Sequence, residues 1–175
     1  MKGILLGIIL AISLPAYAGW NAKSSSDRVE ETELTVKKFK ESDPAMDRFF
    51  DKAYGYAVFP TVGKGGIGIG AAYGKGIVYE QGEIVGSTTL KQLSIGFQLG
   101  GQAYSEIIFF KSKRDLENFK SGNFELGATA SAVAVTVGAS ADADYSDGVA
   151  IFTLPKGGLM YEATVAGQKF TYTEE

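Results

Sequence analysis

The sequence contains neither cysteine nor histidine. Without cysteine the protein has no disulfide framework, no thiol nucleophile and no thiolate metal site. Without histidine it lacks the usual general base of serine hydrolases and the commonest zinc ligand. Only carboxylates, lysines and tyrosines are left to move protons, so we expect a protein that is not an enzyme and uses no cofactor.

Two groups of carboxylates are the best catalytic candidates, and neither has a distinctive spacing. One is Glu106 with Glu125, and the other is the stretch DADYSDG, which contains Asp142 and Asp144. Both are explained as solvent-facing sheet positions. The stretch also fails as a calcium loop, because its glycine comes one position late, at Gly148, and no closing glutamate follows. An irregular calcium site at Asp142 and Asp144 stays an open alternative.

A large excess of positive charge is also missing, since 17 lysines and arginines stand against 20 aspartates and glutamates. Because nucleic-acid binding depends on basic surface, we expect no nucleic-acid partner.

The sequence has one long apolar run, from Ile4 to Leu14. Lys2 precedes it, and the small-x-small ending Ala16-Tyr17-Ala18 follows it. The run is shorter than the about 20 residues of a membrane-spanning helix. We therefore expect a signal peptide over residues 1–18, export, and a periplasmic protein at the membrane periphery.

Glycine is abundant, above all in TVGKGGIGIGAAYGKGIVY, residues 61–79. Its G-x-G-x-x-G pattern, residues 63–68, resembles a dinucleotide fingerprint, but that site needs a helix at the third glycine. Here Ile67 and Ile69 alternate with glycine as in a strand, so we expect no nucleotide. In an extended strand the glycines at 66, 68 and 70 would share one bare face, open to a packing layer or a ligand.

Other segments give clearer secondary-structure signals. A helix is predicted over residues 29–41, a second is capped by Asp43, and a short third is capped by Ser112. After residue 55 the spacing of the apolar residues changes to the two-residue period of strands, with a tight turn at residues 81–82. A second slim strand is predicted in GATASAVAVTVGASADAD, with Asp142 and Asp144 on its wet face.

These elements predict an α+β protein with one domain over residues 29–175, after a flexible lead-in at 19–28. We expect an antiparallel, glycine-rich β-sheet curled into a sandwich or partly closed barrel. N-terminal helices and one short mid-chain helix would flank it.

Four blocks in order resemble the SYLF-domain family: YGYAVFPTVGKGGIGIG, LGGQAYSEIIFF, FELGATASAVA and YSDGVAIFTLPKGGLMYEA. The resemblance runs from about residue 45 to residue 172. It implies a glycine-rich β core with flanking helices that serves as a lipid-binding module. In eukaryotic members the headgroups are phosphoinositides, and some members also contact actin. For this chain it implies non-catalytic binding of phospholipid or an anionic membrane surface by an exported bacterial member.

The resemblance also implies candidate lipid contacts. Eukaryotic relatives use a basic segment ahead of the core, but residues 28–41 carry four basic and four acidic residues. Only the second half of that segment is cationic, so it is expected to meet headgroups there or to be a solvated helix face. The candidate residues are Lys37, Lys38 and Lys40 in this segment, Lys64, Gly66, Gly68, Gly70, Tyr73 and Lys75 in the glycine stretch, and Lys111, Lys113 and Arg114 at the mid-chain helix.

The strongest rival is a small outer-membrane β-barrel or a structural envelope protein, since the alternating strands would suffice for about eight tilted strands. The helical segments before residue 55 argue against that alternative.

Overall fold

A computed structural model describes residues 24–95, 101–157 and 164–175. The expected signal peptide lies outside these residues. The described part contains seven strands, three α-helices and one 3₁₀-helix, which confirms the α+β class. In chain order they are α1 (Ser25–Ser42), a 3₁₀-helix (Pro44–Met46), α2 (Asp47–Lys52), β1 (Gly55–Ile67), β2 (Ile69–Glu80), β3 (Glu83–Ile95), β4 (Gly101–Phe110), α3 (Lys113–Lys120), β5 (Val133–Ala134), β6 (Val149–Pro155) and β7 (Lys169–Glu174).

The helix starts follow local capping signals. Ser24 forms a capping box with Asp27, so α1 begins at Ser25, four residues before the predicted start. Asp43 caps the 3₁₀-helix as predicted. Ser112 caps α3 in a second capping box, which also confirms the prediction. None of the helices in the described ranges combines the length and apolar character needed to cross a bilayer.

The strands form one sheet in the order β5-β6-β4-β1-β2-β3-β7. Every neighbouring pair is antiparallel except the short parallel pair β5–β6, so the sheet is mixed and open, with β5 and β7 at its edges. The predicted turn at Gln81 and Gly82 joins β2 to β3, and both residues have positive φ, 52° and 86°. This is the backbone that a two-residue hairpin of the I′ type requires.

The sheet curls, and one pair of rings shows its direction. Phe59 on β1 and Phe170 on β7 have ring centroids 5.7 Å apart, although β2 and β3 lie between their strands. In a flat sheet strands three places apart are about 14 Å from each other. The face that carries these rings is therefore concave, as the predicted curled sheet requires.

Both faces of the sheet are buried over its central part. The concave face packs against α3 and the C-terminal segment around Phe119, Leu126, Val165 and Phe170. The convex face packs against α1, the 3₁₀-helix and α2, where Phe49 and Phe109 have ring centroids 5.5 Å apart. The core thus forms two layers with the sheet between them.

Two predicted strands are wrong. The chain reverses at Gly68, so that Ile67 pairs with Ile69 across a hairpin and the glycine stretch is two strands rather than one. Residues 128–144 are mainly turns, with only Val133–Ala134 in a strand, so Asp142 and Asp144 do not lie on a wet strand face. Asp43 and Arg48 hold this region instead. Asp43 accepts hydrogen bonds from the backbone amides of Gly138 and Ser140, and Arg48 donates to two carbonyls there.

Candidate functional site

The hairpin between β1 and β2 ends in exposed apolar side chains. Ile67 and Ile69 lie on either side of Gly68, and their side chains are 85% and 66% exposed. Leu93 on β3 is 80% exposed and pairs with Ala71 on β2, two residues further from the turn. Paired residues share a face of the sheet, so the three large side chains form one convex apolar patch.

This patch is exposed because α1 does not extend over it. The N-terminal half of α1 lies beside a cleft of about 240 Å³. Thr32 of α1 lines this cleft together with Thr61 of β1 and Ile77 of β2. Beyond that cleft the convex face of β1 carries glycines, Gly63 opposite Tyr73 and Gly65 opposite Ala71 of β2. The β1 side of this surface is therefore flat between the cleft and the hairpin.

A polar rim borders the apolar patch on the same face. Tyr73 is 49% exposed and pairs directly with Lys91 on β3. Lys75, one row further from the turn, is also exposed and lines the cleft together with Arg28 and Glu31. We call the patch and its rim the tip surface, which consists of Ile67, Ile69, Tyr73, Lys75, Lys91 and Leu93.

The segments of β1, β2 and β3 that form this end contain no acidic residue. Residues 52–79 and 84–105 lack aspartate and glutamate, while they include Lys64, Lys75 and Lys91. The whole chain has a formal net charge of −3, so the positive charge here is local. Lys64 lies on the concave face, where burial lowers the pKa of its ammonium group. Of these three lysines, Lys75 and Lys91 therefore accompany the apolar patch on the convex face.

The rows of the tip surface are set by strand geometry. With about 3.3 Å per residue, the Leu93 row lies about 7 Å behind Ile69, the Tyr73 and Lys91 row about 13 Å, and Lys75 about 20 Å. Side chains along this face thus change from apolar to amphipathic to cationic.

The structure brings together only part of the candidate set. Gly66 faces Gly70 across the hairpin on the concave side, and Gly68 forms the turn with φ of 75°. These three glycines therefore do not make a groove along one strand. Tyr73 and Lys75 lie near them on the convex face, whereas Lys64 lies on the concave face.

The lysines of α1 lie on the body of the protein and are partly engaged there. Lys37 pairs with Glu41 at 3.7 Å, and Lys40 pairs with Asp47 at 3.0 Å. Lys38 is exposed. Phe39 of the same helix is fully buried in the convex core and so does not reach a ligand.

The cations at α3 lie at the opposite end of the sheet. Gly55 at the start of β1 pairs with Phe110, which immediately precedes Lys111. A strand as long as β1 spans about 40 Å, so Lys111, Lys113 and Arg114 are separated from the hairpin by nearly the whole sheet. They cannot contact the same small ligand as Tyr73 and Lys75.

Four outward side chains of the tip surface are not among the residues predicted from the sequence: Ile67, Ile69, Lys91 and Leu93. The available signal was the absence of acidic residues over 52–79 and 84–105, combined with alternating apolar residues. The β2–β3 register, which puts Leu93 beside Ala71, is not visible in the sequence.

Within the described residues, the structure does not bring the carboxylate candidates together into clusters. Glu106 is fully buried on the concave face, whereas Glu125 is exposed and pairs with Lys169 at 3.5 Å. Asp144 accepts a hydrogen bond from the backbone amide of Tyr145. Over residues 24–95, 101–157 and 164–175 no three carboxylates come together as a metal site.

Comparisons with known proteins point to a binding family. Residues 91–175 match the model of the Ysc84 family, described as Las17-binding protein actin regulator. The chain is also similar to Beta cell expansion factor A of Aeromonas veronii, with 29% identity over 137 residues. That similarity covers 77% of this chain and 51% of the relative, so the chain spans about half of that protein's length.

Proposed function

Because residues 91–175 belong to the Ysc84 (SYLF) family, we propose that this protein binds anionic phospholipid surfaces, without catalysis, through its tip surface. The family match covers three of the four sequence blocks that resemble the SYLF family. The observation that carries the proposal is the exposed apolar patch with lysines behind it, on segments of β1, β2 and β3 that lack acidic residues.

The rows of the tip surface fit a shallow insertion into one leaflet. Apolar faces of peripheral proteins enter a bilayer by about 5–10 Å. Ile67, Ile69 and Leu93 fill that depth, because the Leu93 row lies about 7 Å behind the turn. The next row, Tyr73 with Lys91, then lies at the level of the headgroups, where amphipathic aromatic side chains are favoured.

The charges favour an anionic membrane over a neutral one. A lysine near an anionic membrane surface contributes about 1 kcal/mol, and full burial of a large apolar side chain contributes about 1.5–3 kcal/mol. Lys75 and Lys91 together thus contribute about as much as one inserted isoleucine. The proposed affinity therefore needs both parts of the tip surface and falls as salt increases.

Vesicle cosedimentation tests the proposal. Phosphatidylglycerol-rich and pure phosphatidylcholine vesicles would be compared with the unaltered chain and with the double variant Ile67→Ser/Ile69→Ser. We expect at least about a tenfold loss of affinity for anionic vesicles, because each 1.4 kcal/mol corresponds to a factor of ten. Lys75→Glu/Lys91→Glu should cause a similar loss that shrinks at high salt.

Matched controls lie on the body. Leu34 is 52% exposed and Lys38 is exposed, both on α1. The variants Leu34→Ser and Lys38→Glu make the same chemical changes away from the tip surface, and we expect them to bind as the unaltered chain does. Equal losses in the tip and body variants, or binding that survives both tip variants, would refute the proposal.

A further inference from the structure

A buried carboxyl group on the concave face has no cationic partner in the described part of the chain. Glu106 on β4 is fully buried, and its Oε2 accepts a hydrogen bond from Nε2 of Gln168 at 3.0 Å. The same Nε2 group donates to the hydroxyl of Tyr104 at 3.3 Å. Gln168 is itself fully buried and immediately precedes β7.

Three oxygen atoms around this contact are buried without a hydrogen-bond partner: Oε1 of Glu106, Oε1 of Gln168 and Oγ1 of Thr153. Thr153 on β6 is the direct cross-strand neighbour of Glu106, and side chains so paired lie about 5 Å apart at Cβ. Gln168 touches Glu106 through its amide nitrogen. The three orphaned oxygens thus belong to side chains in one cluster.

The donors and acceptors of the cluster show what one added proton does. With Glu106 ionised, its free Oε1 and the Oε1 of Gln168 are both acceptors, and the hydroxyls of Thr153 and Tyr104 are the donors still unused. One proton on Oε1 of Glu106 removes the buried negative charge and turns that oxygen into a donor. After small side-chain rotations, Glu106 donates to Thr153, Thr153 donates to Gln168, and Gln168 already donates to Glu106, so a single proton closes a ring of three hydrogen bonds.

We propose that Glu106, Thr153 and Gln168 form a buried proton-binding site that holds the C-terminal strand β7 on the sheet. The segment before β7 depends on side-chain contacts with the interior. Nε2 of Gln92 donates to the carbonyls of Thr164 and Ala166, at 3.0 and 2.8 Å. Because β7 is an edge strand of six residues, it is the strand that a weakened interior contact releases first.

The surroundings of Glu106 favour its neutral form. Burial raises the pKa of Glu106 to about 8, although the hydrogen bond from Gln168 opposes the shift. Tyr104, on the same strand, is the second titratable residue beside Glu106, and burial raises the pKa of its hydroxyl as well. Lys64 lies on the concave face of β1, one row beyond Val62 and Tyr104, and forms no ion pair with Glu106.

Among the residues that the structure describes, the other elements packed there bring no charge to the cluster. β6 presents Thr153, and α3 presents Leu116 and Phe119. Glu125 and Lys169, which flank the C-terminal segment, pair with each other at an exposed position.

The proposal predicts how release of β7 depends on pH. The closed state keeps the proton up to about pH 8, whereas a solvent-exposed glutamate loses it near pH 4.3. Between these values the closed state binds more protons than the open one, so opening becomes about tenfold more favourable with each pH unit. From pH 6 to pH 8 we expect opening to increase about 50-fold, because Glu106 is half deprotonated in the closed state at its own pKa.

Amide hydrogen exchange by NMR, corrected for the intrinsic rate at each pH, measures this opening. In the unaltered chain, protection of residues 168–174 should fall about 50-fold from pH 6 to pH 8, while amides in β1 and β2 change less. Glu106→Gln keeps the shape and supplies a donor at every pH, so protection should become nearly independent of pH. Glu125→Gln, a neutral variant at an exposed carboxylate, should behave as the unaltered chain does.

Two outcomes would overturn the proposal: the same pH dependence in Glu106→Gln, or an equal loss of protection in β7 and β1. A carbon-13 titration of the Glu106 carboxyl in the unaltered chain gives an answer without any variant. A midpoint near 8 supports the site, and a midpoint near 4.3 contradicts it. Thr153→Val removes the middle hydroxyl at constant shape and should lower the protection of β7 at pH 6; unchanged protection would also count against the ring.

Discussion

The two ends of the sheet are built from the same strands but are covered differently. At the body end β1, β2 and β4 are buried on both faces, and rings such as Phe49 and Phe152, 4.8 Å apart, pack tightly. At the tip end the convex face carries Ile67, Ile69 and Leu93 in contact with solvent. Large apolar side chains thus stabilise the fold at one end and are exposed at the other.

The comparison also separates two uses of glycine. A Cβ at Gly76 would lie 2.5 Å from the carbonyl oxygen of Val58 and 2.8 Å from the ring of Phe59, so that position needs glycine for packing. A Cβ at Gly63, on the flat convex face of the tip, would meet no atom within 4 Å. Glycine in this strand pair therefore does not by itself mark a ligand groove.

The largest expected difference concerns equivalent truncations at the two ends. Phe109→Ala removes a fully buried ring and should lower the free energy of unfolding by about 4 kcal/mol. Ile67→Ala should change it by less than about 0.5 kcal/mol, since surface substitutions have small effects. Urea denaturation measures both. A large loss of stability in Ile67→Ala would show that the tip is part of the core.

The next largest effect concerns the junction between Asp43 and residues 136–143, which consists of the hydrogen bonds that Asp43 accepts. Asp43 accepts hydrogen bonds from Ala45, Gly138 and Ser140, including the Ser140 hydroxyl at 2.7 Å. Asp43→Ala leaves these donors, of which Ser140 is fully buried, without an acceptor and should cost about 3 kcal/mol, measured by urea denaturation. Ser140→Ala should cost about 1 kcal/mol.

The same junction should weaken in acid. Burial raises the pKa of Asp43, but the hydrogen bonds from Ser140, Gly138 and Ala45 outweigh it and hold the pKa below its usual value. The contribution of Asp43 is therefore complete above about pH 4 and is lost as the pH falls through the lower pKa of the folded state. In Asp43→Ala this part of the acid dependence should disappear, and its persistence would assign the effect to other carboxylates.

The smallest expected effect compares the two glycines. Gly76→Ala should destabilise by about 2 kcal/mol, because backbone and ring atoms must shift. Gly63→Ala should be neutral or stabilise by up to about 1 kcal/mol, since it restricts the unfolded chain. Thermal unfolding of both variants tests this order, and equal losses would remove the distinction between the two ends.

Local signals explain which parts of the fold were predictable. The caps at Asp43 and Ser112 and the turn at Gln81 depend on neighbouring residues, and all three predictions are confirmed. The reversal at Gly68 was not visible, because Ile67 and Ile69 share a face in a straight strand and in a hairpin alike. Residues 128–144 alternate as a strand does, but contacts with Asp43 and Arg48, distant in sequence, determine their conformation.

The site was predictable only in part for a similar reason. Tyr73 and Lys75 lie in the glycine stretch and were candidates from composition. Lys91 and Leu93 join them through strand pairing, and the depth of the apolar patch depends on where α1 ends. Neither the pairing of β2 with β3 nor the part of the sheet that α1 covers has a local sequence signal.

The most direct test of the central claim is the depth of single residues in a membrane. The chain has no cysteine, so Ile67→Cys and Leu34→Cys each give one position for a polarity-sensitive fluorophore. On addition of phosphatidylglycerol-rich vesicles, we expect a blue shift and an intensity increase for the label at position 67 and no change at position 34. A response at position 34 alone, or vesicle binding without a response at position 67, would contradict binding through the tip surface.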